Sequence, residues 1–322
     1  MTHNFIDLCA GIGGFRQAFD SYGKCLVTCE IDKFAKNNYL ANYYDGIWEN
    51  DIKKIIPESL PNFDILCAGF PCQAFSLAGK QQGFADTRGT IFFDIAQIIN
   101  TKKPKVFVME NVKNLLSHDK GNTFKTIQKS LDDLNYYHHY FTLNAQYFVP
   151  QRRERIYIIG ANKELFNEVE FKNLISSIEA SYELQKQKPL PKIKDILETN
   201  VDAKYTLSDK LWSFLQAHSK KHAAKGNGFG FGLIDPNKDI TTRTLTARYY
   251  KDGSEILIKQ EGKNPRKLTP RECARLMGFP ETFNIAVSNT QAYKQFGNSV
   301  VVSVVQMISK EISDFLNKKQ HL

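Results

Sequence analysis

The residues best suited to chemistry are a cysteine and a glutamate that each follow an apolar, strand-like run. Cys72 follows the run 63–68 and the turn residue Pro71, and Glu110 follows the run 105–109. In open α/β sheets, ligands and reacting groups lie at the carboxyl ends of the strands. A thiol and a carboxyl at that edge predict nucleophilic catalysis. The alternative is a packed, inert cysteine and a helix-capping glutamate.

Arginines mark a third strand boundary. The stretch 151–155 contains Arg152, Arg153 and Arg155, and the apolar run 156–160 follows it directly. Arginine at a strand end can hold phosphate, stabilise a thiolate or orient a carboxylate. A solvated face of surface salt bridges is the alternative interpretation.

A glycine turn near the start of the sequence predicts a nucleotide-binding α/β unit. The strand-like run 4–9 is followed by Gly11, Gly13 and Gly14, and then by a helical pattern over 15–19. Glycine lets the backbone approach a ligand, and a helix N-terminus offers free N–H groups. The spacing G-x-G-G differs from the dinucleotide pattern G-x-G-x-x-G, and a turn that serves folding alone is the alternative.

Two acids stand at the next predicted strand ends. Glu30 follows the strand 24–28, about 20 residues after the glycine turn, where an acid commonly holds ribose hydroxyls. A solvated strand-end charge is the alternative for Glu30. Asp51 follows the run 46–48 and could accept from an adenine amino group or cap the next helix; taken alone, the cap is favoured.

Composition limits the class of protein. The 322 residues are 42% hydrophobic, which predicts one large domain or two unequal ones. No apolar run reaches the roughly 18 residues of a membrane span and no signal-peptide pattern is present, so we expect a soluble, intracellular protein. The net charge of +9 favours nucleic acid as a partner. The six cysteines form no CxxC pair, so we expect neither a disulfide framework nor a metal site.

The pattern changes near the middle of the chain. Strands and helices alternate over the first half, whereas the lysine- and glycine-rich region 166–265 predicts a second, irregular, β-rich domain. Its Arg243 and Arg248 suit phosphate and groove contacts. A long apolar helix is expected over 296–316, packed on the α/β core. The polar stretch 76–90 predicts a long loop of the kind that forms lids.

These stretches together resemble the cytosine-C5 DNA methyltransferases of bacterial modification systems. The resemblance is carried by six ordered stretches, 7–15, 69–73, 110–112, 151–155, 271–280 and 295–300. Each alone is weak, but six in this order over nearly the whole chain are specific. They imply an α/β fold with a Rossmann-like S-adenosylmethionine-dependent methyltransferase domain, 1–183 plus 292–322. The segment 184–291 is implied to be a smaller, irregular, β-rich target-recognition domain with its connecting segment.

The resemblance also implies an activity. A methyl group passes from S-adenosylmethionine to C5 of a cytosine flipped out of a short duplex DNA site, and no metal is needed. Cys72 attacks C6 as a thiolate and Glu110 stabilises the charge entering the ring at N3. Arg153 and Arg155 orient that carboxyl or contact the base and phosphate. Further implications are protection from a cognate restriction endonuclease, a monomeric state and a cytoplasmic, nucleoid-associated location.

Further site residues are implied by their positions in the matching stretches. The cofactor-binding residues are Gly11, Ile12, Gly13, Gly14, Glu30, Ile31, Asp51, Ile52, Pro71, Asn298 and Val300. The DNA-binding residues are Gln73, Arg88, Arg243, Thr244, Leu245, Thr246, Arg248 and Lys251. At Cys9 and Ile31 many family members carry an aromatic residue and a tryptophan. The stretches 225–231 and 243–253 resemble the branch that reads CCGG or CCNGG-type sites.

Three other functions stay open at this point. An RNA cytosine-C5 methyltransferase on the same scaffold is opposed by the full length of the region 166–265. A non-catalytic DNA-binding regulator is opposed by the intact stretch around Cys72. A nicotinamide dehydrogenase fits poorly with the G-x-G-G spacing.

Overall fold

The computed structural model describes residues 3–71, 91–226 and 230–319. The chain forms two compact units. The first comprises Met1–Leu143, Glu154–Leu184 and Val304–Leu322, and the second comprises Asn144–Arg153 and Gln185–Ser303. Within the described ranges, no helix has the length and apolar character needed to cross a membrane.

The first unit is built on a mixed sheet. Its strands are β1 His3–Leu8, β2 Gly23–Cys29, β3 Ile47–Glu49, β4 Ile65–Gly69, β5 Val106–Val112, β6 Tyr136–Asn144 and β7 Glu154–Asn162. Their order is β3-β2-β1-β4-β5-β7-β6. The neighbours from β3 to β5 are parallel, whereas β7 runs antiparallel to β5, with Arg155 opposite Val112. One edge of the sheet therefore gathers the carboxyl ends of β1 to β5 and the amino end of β7.

The helices in chain order are α1 Gly14–Phe19, α2 Lys33–Leu40, α3 Ile91–Lys102, α4 Asn122–Asp133, α5 Glu168–Lys186, α6 Asp209–Ala223, α7 Pro270–Leu276, α8 Asn289–Asn298 and α9 Val302–Lys319. Of these, α6, α7 and α8 belong to the second unit, and the others lie wholly or mostly in the first. The second unit also contains a three-stranded sheet of β8 Leu233–Ile234, β9 Leu257–Gln260 and β10 Lys263–Lys267. In it, β9 is central.

The core of the first unit explains why the polar residues collect at the strand ends. Ile6, Leu66, Phe107 and Ile158 lie on neighbouring strands and are fully or almost fully buried. Strands covered by helices on both faces have no solvent-facing side, so they read as nearly continuous apolar runs. Polar side chains with chemical roles are therefore placed where these runs stop.

Two expectations about secondary structure need correction. The region 166–265 is not mainly β-structure: it contains the whole of α5 and of α6 beside short strands. The region 296–316 is not a single helix, because α8 ends at Asn298 and Ser299 is extended. At this break the carbonyl groups of Gly297 and Ser299 accept from Arg153 at 3.1 and 2.8 Å.

The boundaries of the two units differ slightly from the predicted domains. Residues 292–303 lie in the second unit. The reason is packing, because the Phe296 ring lies 5.5 Å from Phe279 and 6.2 Å from Phe283. The assignment of catalysis to one domain and target recognition to the other stays a prediction. The predicted lid, 76–90, lies outside the described residues.

Candidate active site

The glycine turn between β1 and α1 opens the site edge. Gly11 and Gly13 have φ angles of +56° and +85°, which side-chain-bearing residues rarely adopt. At Gly13 a Cβ would lie 2.7 Å from the Tyr43 ring, so the turn is packed tightly from below. At Gly11 a Cβ would meet no atom within 4 Å, so the backbone there faces open space. The turn can therefore bring main-chain N–H groups against a ligand.

Glu30 joins this turn to the end of β2. Its Oε2 accepts from the Gly11 N–H at 2.8 Å, and its Oε1 accepts from the Asp32 N–H at 2.8 Å. The carboxylate is held from two sides but is only partly buried. Its remaining lone pairs can therefore accept from hydroxyl groups, as the sequence predicts for a ribose.

Carboxylates gather at this edge although the chain is basic. Burial, together with the negative charges of Glu30, Glu49 and Asp51, raises the pKa of the Cys29 thiol to about 12. Asp7 is fully buried below the glycine turn, and this burial raises its pKa to about 8. The edge therefore favours a cationic ligand and disfavours a pyrophosphate.

Sequence reasoning missed Asp94, which stands in the first turn of α3. Burial raises its pKa, and the negative charge of Asp51 adds to this effect while Lys53 opposes it. Its buried Oδ2 has no hydrogen-bond partner among the described residues. No sequence pattern points to Asp94, because it does not follow a predicted strand, so only the three-dimensional structure reveals its position.

The other predicted cofactor residues differ in exposure. Ile12 and Ile52 are buried, so Ile12 can reach a ligand only through its main chain. Ile31 is 74% exposed at the strand end. Asp51 uses Oδ1 to cap the turn at Lys53 N–H, 3.1 Å away, which leaves its second oxygen for a ligand. Cys9 is partly buried, and burial raises its pKa.

S-adenosylmethionine fits these residues. Its sulfonium cation suits the carboxylates, and its ribose and adenine would offer hydrogen-bond donors to Glu30 and Asp51. Bound here, it would supply an electrophilic methyl group. An α/β sheet with such a strand-end edge is typical of the class of S-adenosylmethionine-dependent methyltransferases.

A carboxyl and a guanidinium form the second part of the edge. Glu110 lies near the end of β5 and Arg155 near the start of β7. The Arg155 Nε is 3.2 Å from the Glu110 Oε1, and the two side chains are 15% and 11% exposed. Such a pair can orient a carboxyl toward a substrate while the arginine stays charged.

The residue after Glu110 holds the chain just before the predicted nucleophile. Asn111 follows Glu110 and donates from Nδ2 to the Phe70 carbonyl at 2.9 Å. The Asn111 Oδ1 in turn accepts from the Val112 N–H at 2.8 Å. Pro71 is exposed after Phe70, whereas Cys72 and the predicted DNA contacts Gln73 and Arg88 lie outside the described residues.

Arg153 has a different place from Arg155. It belongs to the second unit and is fully buried. Its Nη1 donates to the Leu245 carbonyl at 2.8 Å, and its Nη2 donates to the Gly297 and Ser299 carbonyls. This residue therefore connects two backbone segments, 243–247 and 297–299.

Gln151, which sequence reasoning did not single out, completes this connection. Its Oε1 accepts from the Leu245 N–H at 2.8 Å, and its Nε2 donates to the Leu276 carbonyl at 3.1 Å. Gln151 and Arg153 thus bind both polar groups of one residue, Leu245. We call this arrangement the Leu245 clamp. In extended backbone, residues two apart point to the same side, so the polar pair at 151 and 153 is the sequence signal that could have revealed the Leu245 clamp.

The predicted DNA-binding residues of the second unit fall into two groups. Leu245 is fully buried and is held by the Leu245 clamp. Thr244 and Thr246 are partly buried, with the Thr244 hydroxyl donating to the Arg152 carbonyl. Arg243, Arg248 and Lys251 are exposed. Exposed cations remain the candidates for DNA contact.

The predicted residues for closing the cofactor pocket lie in the second unit. Asn298 is exposed at the end of α8 and Val300 is buried just after it. In the described part of the chain, no group of three or more His, Cys, Asp or Glu residues could hold a metal ion.

Comparison with known proteins identifies the family. The profile described as C-5 cytosine-specific DNA methylase matches residues 3–314. The Type II methyltransferase M.SsoII of Shigella sonnei is 52% identical over 318 residues, which cover 98% of this chain and 81% of the relative. The Type II methyltransferase M1.ScrFI of Lactococcus lactis subsp. cremoris is 50% identical, covering 99% of this chain and 80% of the relative. The crystal structure of S. pombe Dnmt2 methyltransferase shares the fold, with a TM-score of 0.77 at 20% identity over 98% of this chain and 99% of that chain.

The chain therefore belongs to the C-5 cytosine-specific DNA methylase family. It is a DNA cytosine-C5 methyltransferase, and its methyl donor is S-adenosylmethionine. The resemblance to the cytosine-C5 DNA methyltransferase family, the α/β methyltransferase fold and the cofactor predicted from the sequence are confirmed.

Proposed function

We propose that this methyltransferase is the modification enzyme of a type II restriction–modification system. The Type II names of its relatives support this assignment. A cognate restriction endonuclease is then its functional partner, and methylation protects the shared site from cleavage. The enzyme acts as a monomer on chromosomal DNA, which places it at the nucleoid in the cytoplasm.

The proposed target is a cytosine within a CCGG or CCNGG-type site. The support is the resemblance of the stretches 225–231 and 243–253 to that branch of the family. Within the second stretch, the proposed DNA contacts are Arg243, Thr244, Leu245, Thr246, Arg248 and Lys251, with Gln73 and Arg88 in the first half of the chain. Side-chain readout is proposed for the exposed members, and Leu245 contributes by fixing the backbone.

The contact between Glu110 and Arg155 carries the catalytic proposal. It lies at the strand-end edge, and Asn111 ties the same strand end to Phe70, two residues before Cys72. We assign Cys72 as the nucleophile, Glu110 as the group that meets N3 of cytosine, and Arg155 as its orienting partner. Arg153, by its hydrogen bonds, supports the target-reading backbone.

The reaction needs a nucleophile because C5 of cytosine is itself weakly nucleophilic. The base must first leave the duplex stack, at a cost of a few kcal/mol. The Cys72 thiolate adds to C6, Glu110 stabilises the charge at N3, and C5 becomes enamine-like. After methyl transfer, a base removes the C5 proton and elimination restores the thiolate and the C5–C6 double bond.

The proposed cofactor-binding residues fall into groups that contact different parts of S-adenosylmethionine. Gly11, Ile12, Gly13 and Gly14 present the backbone, Glu30 holds the ribose, and Ile31, Asp51 and Ile52 meet the adenine. Pro71, Asn298 and Val300 are proposed to complete the pocket. Cys9 and Ile31 leave less aromatic surface there than in many relatives.

The test combines trapping with a serine variant. An oligonucleotide with 5-fluorocytosine at the target should give a stable adduct through Cys72, because elimination cannot remove fluorine. The variant Cys72→Ser should bind the duplex but transfer no methyl group. Absence of the adduct although cofactor and duplex are bound, or methyl transfer by the variant, contradicts the assignment.

Bisulfite sequencing of DNA from expressing cells tests the proposed target site. Methylation confined to CCGG or CCNGG-type sites is the expected result. Exchange of residues 184–265 for those of a relative with another site should change the methylated sequence and leave cofactor binding intact. Unchanged specificity after the exchange would refute the recognition role of that segment.

A further inference from the structure

Helix α6 of the second unit has one packed face. Leu215 is buried and packs with Leu207 and Leu257, and Leu211 and Trp212 lie against this cluster. The Trp212 ring is 4.7 Å from Phe231, which precedes β8. These contacts fix the orientation of the helix on its sheet.

The opposite face of α6 is exposed and cationic. It carries Lys210, Lys220 and Lys221, and the turn that follows adds Lys225. Asp209 at the start of the helix accepts from the Asn264 amide at 2.6 Å, and the segment 210–226 that follows contains no acidic residue. None of these four lysines forms an ion pair with another residue of the described ranges. We call Lys210, Lys220, Lys221 and Lys225 the α6 lysine face.

Contacts connect this helix to the proposed DNA-reading segment. Ser219 on α6 lies close to Gly230, where a Cβ would be 3.1 Å from the Ser219 hydroxyl oxygen. The Gly230 carbonyl accepts from the Nη1 of Arg243 at 2.7 Å. The C-terminal half of α6 is therefore a neighbour of one of the exposed arginines proposed to contact the DNA.

We propose that the α6 lysine face binds backbone phosphates of DNA that flank the recognition sequence. This inference rests on the proposed recognition role of the second unit. A helix of 15 residues is about 22 Å long, which matches roughly six base pairs of duplex. Lysines without local counterions suit phosphates, and such contacts give affinity without reading sequence.

The opposing interpretation is a solvated charged helix that improves solubility. Salt dependence separates the two, because each phosphate neutralised by a lysine releases counterions and steepens the fall of affinity with salt. A solvated face makes no such contribution to DNA binding.

The experiment compares two triple variants of the full chain. K210Q/K220Q/K221Q removes charge from the α6 lysine face outside the proposed site-reading stretches, and glutamine keeps the helix propensity of lysine. The matched control K24Q/K129Q/K163Q removes three exposed or partly exposed lysines of the first unit. Binding is measured by fluorescence anisotropy between about 0.05 and 0.3 M salt. The two duplexes carry the same site, one with long flanks and one with almost none.

On the long duplex, the α6 variant should lose about 2 to 3 from the slope of log Kd against log salt, at roughly 0.9 for each phosphate. Its Kd at 0.1 M salt should rise at least about tenfold, with kcat at saturating DNA unchanged. On the short duplex it should bind like the unmodified enzyme. The control variant should match the unmodified enzyme on both.

Equal slopes for the two variants on the long duplex would overturn the proposal. An equal loss of affinity on both duplexes would also overturn it, because the lysines would then contact the site itself. Two results together would refute the flanking contact but not the proposed function: the exchange of residues 184–265 changes the methylated sequence, and the α6 variant keeps the salt slope of the unmodified enzyme. Failure of the unmodified enzyme to bind duplex DNA would refute the proposed function as well.

Discussion

Glu110 and Arg155 are neighbours because β7 enters the sheet in the opposite direction to β5. Glu110 lies near the carboxyl end of β5, and Arg155 is the second residue of β7. The antiparallel register puts Arg155 opposite Val112, two residues beyond Glu110, so that its Nε reaches the Glu110 Oε1 at 3.2 Å. One reversed strand thus supplies the carboxyl with a permanent cation.

Arg155→Met is expected to lower kcat by about 10²-fold or more, because the Glu110 carboxyl loses its orienting partner. Glu110→Gln should lower it by about 10²- to 10⁴-fold. Each variant removes one partner of a largely buried ion pair, so each should also lose about 1–3 kcal/mol of stability in urea unfolding. Single-turnover methyl transfer is the measurement. A variant of Glu110 with normal turnover would contradict its catalytic role.

Arg153→Met should act on stability instead. The change leaves the buried carbonyls of Leu245, Gly297 and Ser299 without their donor, at a cost of about 2–4 kcal/mol in total. Urea unfolding measures this loss, and Arg152→Met, a change at the exposed neighbouring arginine, is the matched control. A stable Arg153→Met enzyme with abolished turnover would show that Arg153 takes part in the chemistry itself.

Glu30→Ala should weaken cofactor binding. It removes the proposed ribose acceptor together with the group that accepts from the Gly11 and Asp32 N–H groups. Calorimetry with S-adenosylhomocysteine should show a Kd increased about tenfold or more. The exposed Glu58→Ala provides the control. If Glu30→Ala binds the ligand normally, the ribose site lies elsewhere.

Asp7→Asn should flatten the dependence of stability on pH. Burial raises the folded-state pKa of Asp7 from 3.8 to about 8, so the folded protein keeps a proton that the unfolded chain releases. This group's contribution to stability is complete below about pH 4 and is lost as pH rises toward 8.

Urea midpoints at pH 6 and 8.5 measure the Asp7 effect. The unmodified enzyme should lose more stability between these values than Asp7→Asn does. Asp133→Asn, an exposed change on α4, should follow the unmodified enzyme. Parallel pH profiles for all three proteins would show that Asp7 is ionised in the folded state.

Gly297→Ala should destabilise the second unit by roughly 1–3 kcal/mol. A Cβ at this position would lie 2.3 Å from the Thr246 carbonyl oxygen, a distance that forces the backbone apart. Thermal unfolding measures the effect. Gly69→Ala is the control, because its Cβ would meet its nearest neighbour at 3.9 Å. Equal melting temperatures for both would refute the close approach.

Sequence reasoning reached the fold class and the strand-end acids because both follow from local patterns. An apolar run such as 65–68 is buried whatever its partners are, and the residue after it is at an edge. The direction of β7 is not local, because an apolar strand reads the same when parallel or antiparallel.

The separate targets of Arg153 and Arg155 were hidden for a similar reason. The two residues stand two apart in one motif, yet one contacts Glu110 and the other donates to the carbonyl groups of three residues far along the chain. Helix α6 was missed because the lysines and glycines of the region 166–265 masked its short apolar stripe, Leu211 to Leu215. The composition of that region reflects its polar surface, whereas the helix is stabilised by tertiary packing, which composition does not show.

The position of the segment Asn144–Arg153 in the second unit has a consequence for chimeric enzymes with new specificities. These ten residues comprise the last residue of β6 and the whole connection to β7 but belong to the second unit, so that unit is not one continuous segment of the sequence. A recombination event that imports a foreign 185–303 segment leaves the resident Gln151 and Arg153 in place. We expect such a segment to be accepted only if it presents an N–H and a carbonyl group where Leu245 now does, because Gln151 and Arg153 bind both groups.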